Sequence, residues 1–370
     1  MINVYEPVIG KKEKKFVLDA LRKGELSGTF GKYIESFEKE FANYSGCKYG
    51  VAVSSGTAAL NLAVSVAGIK SGDEVLLSSS TNIATALSIV HNGAIPVPVD
   101  SEEDTWNLNV NLLESLITKK TKAIIPVHLF GHPVDMNALI KIAQKYNLTV
   151  IEDCAESHGA SYKGKMTGSF GDMGCYSFYA NKIITTGEGG MVVTNNKFIY
   201  EKLKLLRNLA FGKPRFKHKY LGYNFRMTGY QAAMGLAQTR KLSKIIKQKR
   251  RVANLYNKHL VNIEGLQLPV ERKYYKNVYW VYSIVVKPSF GINRDELMKR
   301  LKKEGIETRT FFCSMSDQPC LKKIKDFKMI KTPIASRIWK TGLYLPSSHN
   351  LTEKTIKFIA KKLIQIKKTI

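Results

Sequence analysis

The chain has 370 residues, of which 44% are hydrophobic and 24% charged, enough apolar material for one large α/β domain with a smaller appendage. No uninterrupted apolar run reaches the roughly 18 residues of a membrane helix, and residues 1–15 lack the apolar stretch of a secretory signal, so a cytoplasmic protein without a membrane partner is expected. The formal net charge is +28: solvated helix faces explain it most simply, anionic ligands such as nucleotide sugars come next, and nucleic acid is not an expected partner, because interleaved aromatic and basic motifs are missing.

In chain order, a basic amphipathic helix is predicted over residues 13–23 and a second over 56–67. Short β-branched runs then alternate with helical periods: strand 74–77, helix 85–92, strand 95–99, helix 111–119, strand 122–127, helix 135–146 and strand 149–151. That alternation predicts a mostly parallel sheet covered by helices. Residues 174–194 read instead as two short strands around a Gly-rich turn, and residues 230–260 as one long helix. Beyond it, strand 280–286, helix 294–304, strand 306–309 and a final helix from Thr352 make a smaller α+β unit. The division falls inside the long helix, giving a large domain over 1–245 and a small C-terminal domain over 246–370. The cysteines Cys47, Cys154, Cys175, Cys313 and Cys320 are scattered and include no CxxC pair, which fits a reducing compartment and offers no zinc site; no metal is expected.

Ligands of open parallel sheets bind beyond the carboxyl ends of the strands, so the residues that follow each strand are the candidates. Ser54-Ser55-Gly56-Thr57-Ala58-Ala59-Leu60 follows a strand at 51–53. Small residues at such a junction leave backbone N–H groups and the positive end of a helix open to a phosphate, although a plain Ser/Thr cap is equally consistent. Glu152 and Asp153 follow strand 149–151. A carboxylate there needs a partner, for which a protonated pyridine nitrogen serves; a helix-capping aspartate is the alternative. Ser177-Phe178-Tyr179-Ala180-Asn181-Lys182 precedes the Gly-rich turn. A partly buried lysine there has a lowered pKa and attacks aldehydes readily, whereas a surface lysine is the plain reading in so basic a chain. His158 is placed as a hydrogen-bond partner of the Asp153 carboxylate, and His132 as a polar loop contact.

Taken in order, these segments resemble the sugar aminotransferases of the DegT/DnrJ/EryC1/StrS family, with fold-type I architecture. The likeness includes Tyr5-Glu6-Pro7, Ser55-Gly56-Thr57-Ala58-Ala59-Leu60, Gly72-Asp73-Glu74-Val75, His128-Leu129-Phe130-Gly131, Glu152-Asp153, Gly187-Glu188-Gly189-Gly190, Gly222-Tyr223-Asn224-Phe225-Arg226 and Leu345-Pro346. The resemblance implies pyridoxal 5'-phosphate as cofactor, with Lys182 as the Schiff-base lysine and proton shuttle and Asp153 as the partner of the pyridine nitrogen. It implies Gly56, Thr57 and Ser177 as phosphate ligands and Glu156 beside the cofactor's 3-oxygen. Asn224 is the residue that a homodimer passes across its interface to the other chain's phosphate. Arg309, Phe312 and His158 are the substrate-side candidates. The implied reaction moves an amino group from L-glutamate to C4 of a nucleotide-linked 4-keto-6-deoxy sugar destined for a cell-surface glycan. A C3 or non-nucleotide keto-sugar aminotransferase and a regulatory protein of the same fold are the alternatives; the intact Lys182 and Asp153 pair speaks against the last. In one place the chain departs from the family: Thr81-Asn82-Ile83-Ala84-Thr85 carries Asn82 where an aromatic residue often stacks on the cofactor.

Overall fold

The computed structural model describes residues 1–370. Its main sheet has seven strands: β1 (Tyr49–Val53), β2 (Glu74–Ser78), β3 (Ile95–Val99), β4 (Thr121–Ile125), β5 (Thr149–Asp153), β6 (Met173–Ser177) and β7 (Gly190–Thr194). Their spatial order is β1-β7-β6-β5-β4-β2-β3. Only β7 is reversed: it pairs antiparallel with β1 and β6, while the pairs from β6 through to β3 are all parallel. The chain is thus α/β with a mostly parallel mixed sheet, as the alternation of strand and helix predicted.

Local chemistry accounts for this order. β3 has the sequence Ile-Pro-Val-Pro-Val, and proline cannot donate to a ladder. In its parallel register against β2, Pro96 and Pro98 present their missing N–H groups on the open side, so β3 can only be an edge strand, and the prolines also block further pairing there. The helix Gly56–Val66 is buried along nearly its whole length because sheet, neighbouring helices and the helix Lys197–Arg207 enclose it; its residues are accordingly small or aliphatic rather than amphipathic. Helix starts are fixed by side-chain caps: Ser55, Asn82, Asp135, Asn196, Asn293 and Thr352 each accept from a first-turn N–H.

A second, antiparallel sheet joins Leu266–Gln267, Tyr282–Val286, Gly342–Leu345 and Arg309–Thr310 in that order. Helices Leu242–Leu260, Arg294–Lys303 and Glu353–Lys368 flank it, around a core that includes Tyr256, Tyr282, Phe290, Leu297 and Ile359. The start of the chain packs here too: Ile2 bridges Ile306, and the Val4 N–H donates to Glu307 at 2.8 Å.

Two expected elements differ. The single helix over 230–260 is two helices, Gly229–Thr239 and Leu242–Leu260, with a turn at Arg240 and Lys241. The two halves answer to different neighbours. The first is lined with Ala232, Ala233, Gly235 and Ala237 and packs against helices Lys11–Arg22 and Lys32–Tyr44; the second packs against Glu353–Lys368. At the break Arg240 pairs with Glu40 and Lys241 with the buried Glu13. The helix expected over 111–119 shrinks to a 3-10 turn at Val110–Leu112 and one α-turn at Leu113–Leu116. The remaining α-helices are Ile83–Val90, Met136–Lys145, Pro319–Lys322 and Pro333–Thr341. No helix is long and apolar enough to cross a membrane.

Candidate active site

The carboxyl ends of β1, β5 and β6 open into one pocket of about 360 Å³. Gly56, Thr57, Asp153, Glu156, Ser177, Lys182, Arg309 and Phe312 all line it, together with Asn82, Trp280 and Tyr344. Residues that lie far apart in the sequence therefore meet where an open sheet binds its ligands.

The floor is set by the alternation of β5. Successive side chains point to opposite faces, so Glu152 and Asp153 have different fates. Both are buried. Glu152 faces away and is saturated, accepting from the N–H groups of Gly168, Phe170 and Gly171 at 2.8 Å each and lying 3.0 Å from the His128 ring. Asp153 faces the pocket and accepts from only two neutral donors, Thr85 Oγ1 at 2.8 Å and the Ala155 N–H at 3.1 Å. Burial pushes its pKa up, and the hydrogen bonds and the Lys182 charge offset part of that rise. A carboxylate so placed is short of a positive partner.

Lys182 approaches from the loop between β6 and β7, with 11% of its side chain exposed. Its Nζ lies 3.9 Å from the centre of the Trp280 ring and 3.8 Å from Glu156 Oε1. Burial lowers the pKa of the amine, against the opposing pull of Glu156 and Asp153. Glu156 is itself pushed up to about 7 by burial, with the Lys182 charge opposing. Its second oxygen accepts from the Phe130 N–H at 2.8 Å. Phe130 makes that bond from a left-handed conformation, φ 54°, a position that few non-glycine residues adopt, and its carbonyl in turn accepts from the Trp280 N–H at 2.9 Å. Lys182, Glu156, Phe130 and Trp280 thus form a closed ring of contacts around the amine.

At the opposite wall, Ser55 caps the helix Gly56–Val66 by accepting from the Ala58 N–H. The first-turn N–H groups of Gly56 and Thr57 have no intrahelical acceptor. Gly56 permits the close approach of this helix start to β6: a Cβ there would lie 2.6 Å from Ser177 Cβ. The result is a cradle of N–H groups, the Thr57 and Ser177 hydroxyls and the positive helix end, suited to a phosphate dianion. The buried Asp153, the near-buried Lys182 and this cradle fit the cationic ring nitrogen, the aldehyde and the phosphate of pyridoxal 5'-phosphate.

Two of the expected site residues, His158 and Asn224, do not line this pocket, the latter being expected to serve the partner's. His158 does not line the pocket and does not reach Asp153. Its ring packs among Phe41, Tyr176 and Phe178, neither nitrogen has a hydrogen-bond partner, and burial holds its pKa down at about 3. Thr85 makes the contact to Asp153 that His158 was expected to make. Asn224 is exposed and bridges Asn208, outside the pocket of its own chain. Asn82 lines the pocket but spends its side chain on capping the helix Ile83–Val90, accepting from the Ala84 N–H at 3.0 Å; the broad ring in the wall is Trp280. His132 is buried, its Nδ1 2.8 Å from the Pro133 carbonyl. The sequence reading missed Thr85 and Trp280. A hydroxyl at the first turn of a largely apolar helix, which carries only Ser88 besides, could have marked Thr85; nothing local marks Trp280.

A lysine with a lowered pKa facing a buried carboxylate, beside a phosphate cradle at the strand ends of such a sheet, defines the class of pyridoxal-phosphate-dependent aminotransferases. The chain belongs to the DegT/DnrJ/EryC1/StrS aminotransferase family, whose family model matches residues 7–364. Among curated relatives, the GDP-perosamine synthase of Escherichia coli O157:H7 is 40% identical over 363 residues, covering 98% of this chain and 97% of the relative. That of Vibrio cholerae is 38% identical, covering 97% of each. Among solved structures, DesV of S. venezuelae in complex with a ketimine intermediate superposes with a TM-score of 0.90 at 32% identity, over 97% of this chain and 95% of that one. Helicobacter pylori PseC, an aminotransferase of pseudaminic acid biosynthesis, superposes with a TM-score of 0.92 at 26% identity over the full length of both.

Proposed function

We propose that this chain transfers the amino group of L-glutamate to C4 of a nucleotide-linked 4-keto-6-deoxy sugar, as the GDP-perosamine synthases it is similar to are named for doing. The observation that carries the reading is Lys182 and Asp153 facing one pocket beside a phosphate cradle. Pyridoxal 5'-phosphate, when bound, supplies a carbonyl for amines to condense with and an electron-withdrawing ring. The rest falls to the side chains. Asp153 keeps the ring nitrogen protonated by pairing with it. The N–H groups of Gly56 and Thr57 and the Ser177 hydroxyl hold the phosphate. Lys182, whose amine burial makes less basic, would take the proton from the donor's α-carbon and return it to the carbonyl-derived carbon of the cofactor. Glu156 lies close enough to Lys182 to steady that proton in both halves of the reaction. Trp280, Phe312 and Tyr344 keep water from the amine, and Arg309, exposed at the mouth, meets the anionic nucleotide.

The same reading makes the enzyme a homodimer in which Asn224 reaches the phosphate in the partner's pocket, and divides each chain into a large part, 1–245, and a small part, 246–370. Asn224, exposed on its own chain beside the phosphate-side strands, supports the first point; the separate antiparallel sheet supports the second.

Purified protein supplied with pyridoxal 5'-phosphate is expected to develop a visible absorption band, and borohydride should trap the cofactor on the peptide containing Lys182. Glutamate should bleach the band and release 2-oxoglutarate, and GDP- or dTDP-linked 4-keto-6-deoxy sugars should restore it, with the new amine located by NMR. Trapping at another lysine would defeat the assignment of Lys182, and an amine at C3 would defeat that of the substrate.

A further inference from the structure

Trp280 is held at three points. Its N–H donates to the Phe130 carbonyl at 2.9 Å, its indole Nε1 donates to the Asn181 carbonyl at 2.7 Å, and its own carbonyl accepts from Lys249 Nζ at 2.7 Å. Asn181 lines the pocket, and Phe130 holds Glu156 at its edge. The third comes from behind it, from the helix Leu242–Leu260. Lys249 is 2% exposed, and its Nζ also donates to the Ser347 carbonyl. Trp280 precedes the strand Tyr282–Val286 and Ser347 follows the strand Gly342–Leu345, and the two strands pair with Tyr282 opposite Leu345. The amine therefore ties the two segments together where they diverge from the sheet.

Packing alone does not account for a lysine here. A buried amine bonded only to neutral carbonyls is destabilising relative to an apolar chain of the same length. Burial pushes the Lys249 pKa down to about 7. The neighbouring His349 is held down at about 4 by burial and by the charges of Lys249 and Lys241. A neutral amine keeps two N–H donors, enough for two carbonyls, so the tie survives in either protonation state.

We infer that Lys249 is a positioning residue for Lys182, acting through Trp280: it fixes the indole ring that covers the reacting amine. The inference rests on the reading of Lys182 as that amine. It is tested without turnover, in cofactor-free protein, by following the pH dependence of acylation at Lys182 by peptide mass spectrometry. Burial is the leading cause of the lowered Lys182 pKa, so Lys249→Met, which loosens the ring and lets water in, should raise the midpoint by about half a unit. In the loaded enzyme the same change should lower kcat about tenfold while KM for the nucleotide sugar stays within about twofold. Trp280→Phe should raise the midpoint by itself, and Lys249→Met should add nothing in the Trp280→Phe background. An unchanged midpoint in Lys249→Met overturns the inference, and additive shifts overturn the route through Trp280. If Lys249→Met does not fold, Trp280→Phe decides alone, because an unchanged midpoint there removes the ring from any such role. Borohydride trapping away from Lys182 would sink the functional reading yet leave the titration interpretable, so the two failures are distinguishable.

Discussion

Two neighbouring carboxylates, Glu152 and Asp153, illustrate how strongly one residue's environment decides its use. The first has all the donors it can take; the second has two, and faces a cavity. Asp153→Asn keeps the shape and the Thr85 contact but cannot hold a proton on a pyridine nitrogen. It should lower kcat at least about 100-fold with an unchanged far-UV circular dichroism spectrum, and Lys182→Ala should remove turnover altogether. A near-normal rate in Asp153→Asn would move the ring-nitrogen role to another group. His158 makes a different prediction. Its pKa is held at about 3 against an ordinary 6.5, so the folded state accepts it only neutral. The stability that depends on its neutrality is fully present above pH 6.5 and is lost as the pH falls from there towards 3. His158→Phe, which suits the surrounding Phe41, Tyr176 and Phe178, should therefore raise the denaturation midpoint more at pH 5 than at pH 7.5; an equal change at both would show that protonation plays no part.

At the scale of elements, the proposed phosphate seat depends on how closely the helix Gly56–Val66 approaches β6. Gly56→Ala would place a methyl 2.6 Å from Ser177 Cβ, against a strand held on both sides, so the helix must retreat. The cost is about 1–3 kcal/mol of stability, with cofactor affinity expected to fall at least about tenfold; equilibrium dialysis of pyridoxal 5'-phosphate and thermal melts measure the two. Unchanged affinity would mean that the cradle does not hold the phosphate. The sequence revealed those parts of the site whose cause is local. Gly56, Asp153 and Lys182 each lie at or just beyond the end of a strand, and strand ends are readable from β-branched runs and small residues. The break at Arg240 and Lys241 was not readable, because both residues favour helix and neither Gly nor Pro marks the turn; the packing of separate neighbours creates it. Nor was Trp280, which reaches the pocket only because two distant segments close over it.

At the scale of the whole molecule, the proposed exchange of Asn224 between chains has a clean consequence. A dimer is expected to elute at about twice the chain mass of 41.6 kDa. Lys182→Ala and Asn224→Ala are each expected to be impaired as homodimers. When the two are mixed and allowed to exchange subunits, half of the sites in each heterodimer regain both native residues, so activity should appear on mixing. Silence after demonstrated exchange would place each site within one chain. The charge of +28 adds a separate expectation: if it draws in the anionic sugar nucleotide, kcat/KM should fall with added salt while kcat changes little.

The ring of contacts around Lys182 also orders events in time. Its members are Phe130, Glu156, Lys182 and, nearly a hundred positions later, Trp280; Tyr344 is added later still. On a ribosome the lysine, the aspartate and the phosphate seat emerge while the wall that shelters them is still unmade. A chain that stops short of Trp280 carries Asp153, Lys182 and the helix start at Gly56 and Thr57 without the indole that covers the amine. The reactive residues are thus made first and their cover last, so the amine is sheltered only once the chain has run past Trp280.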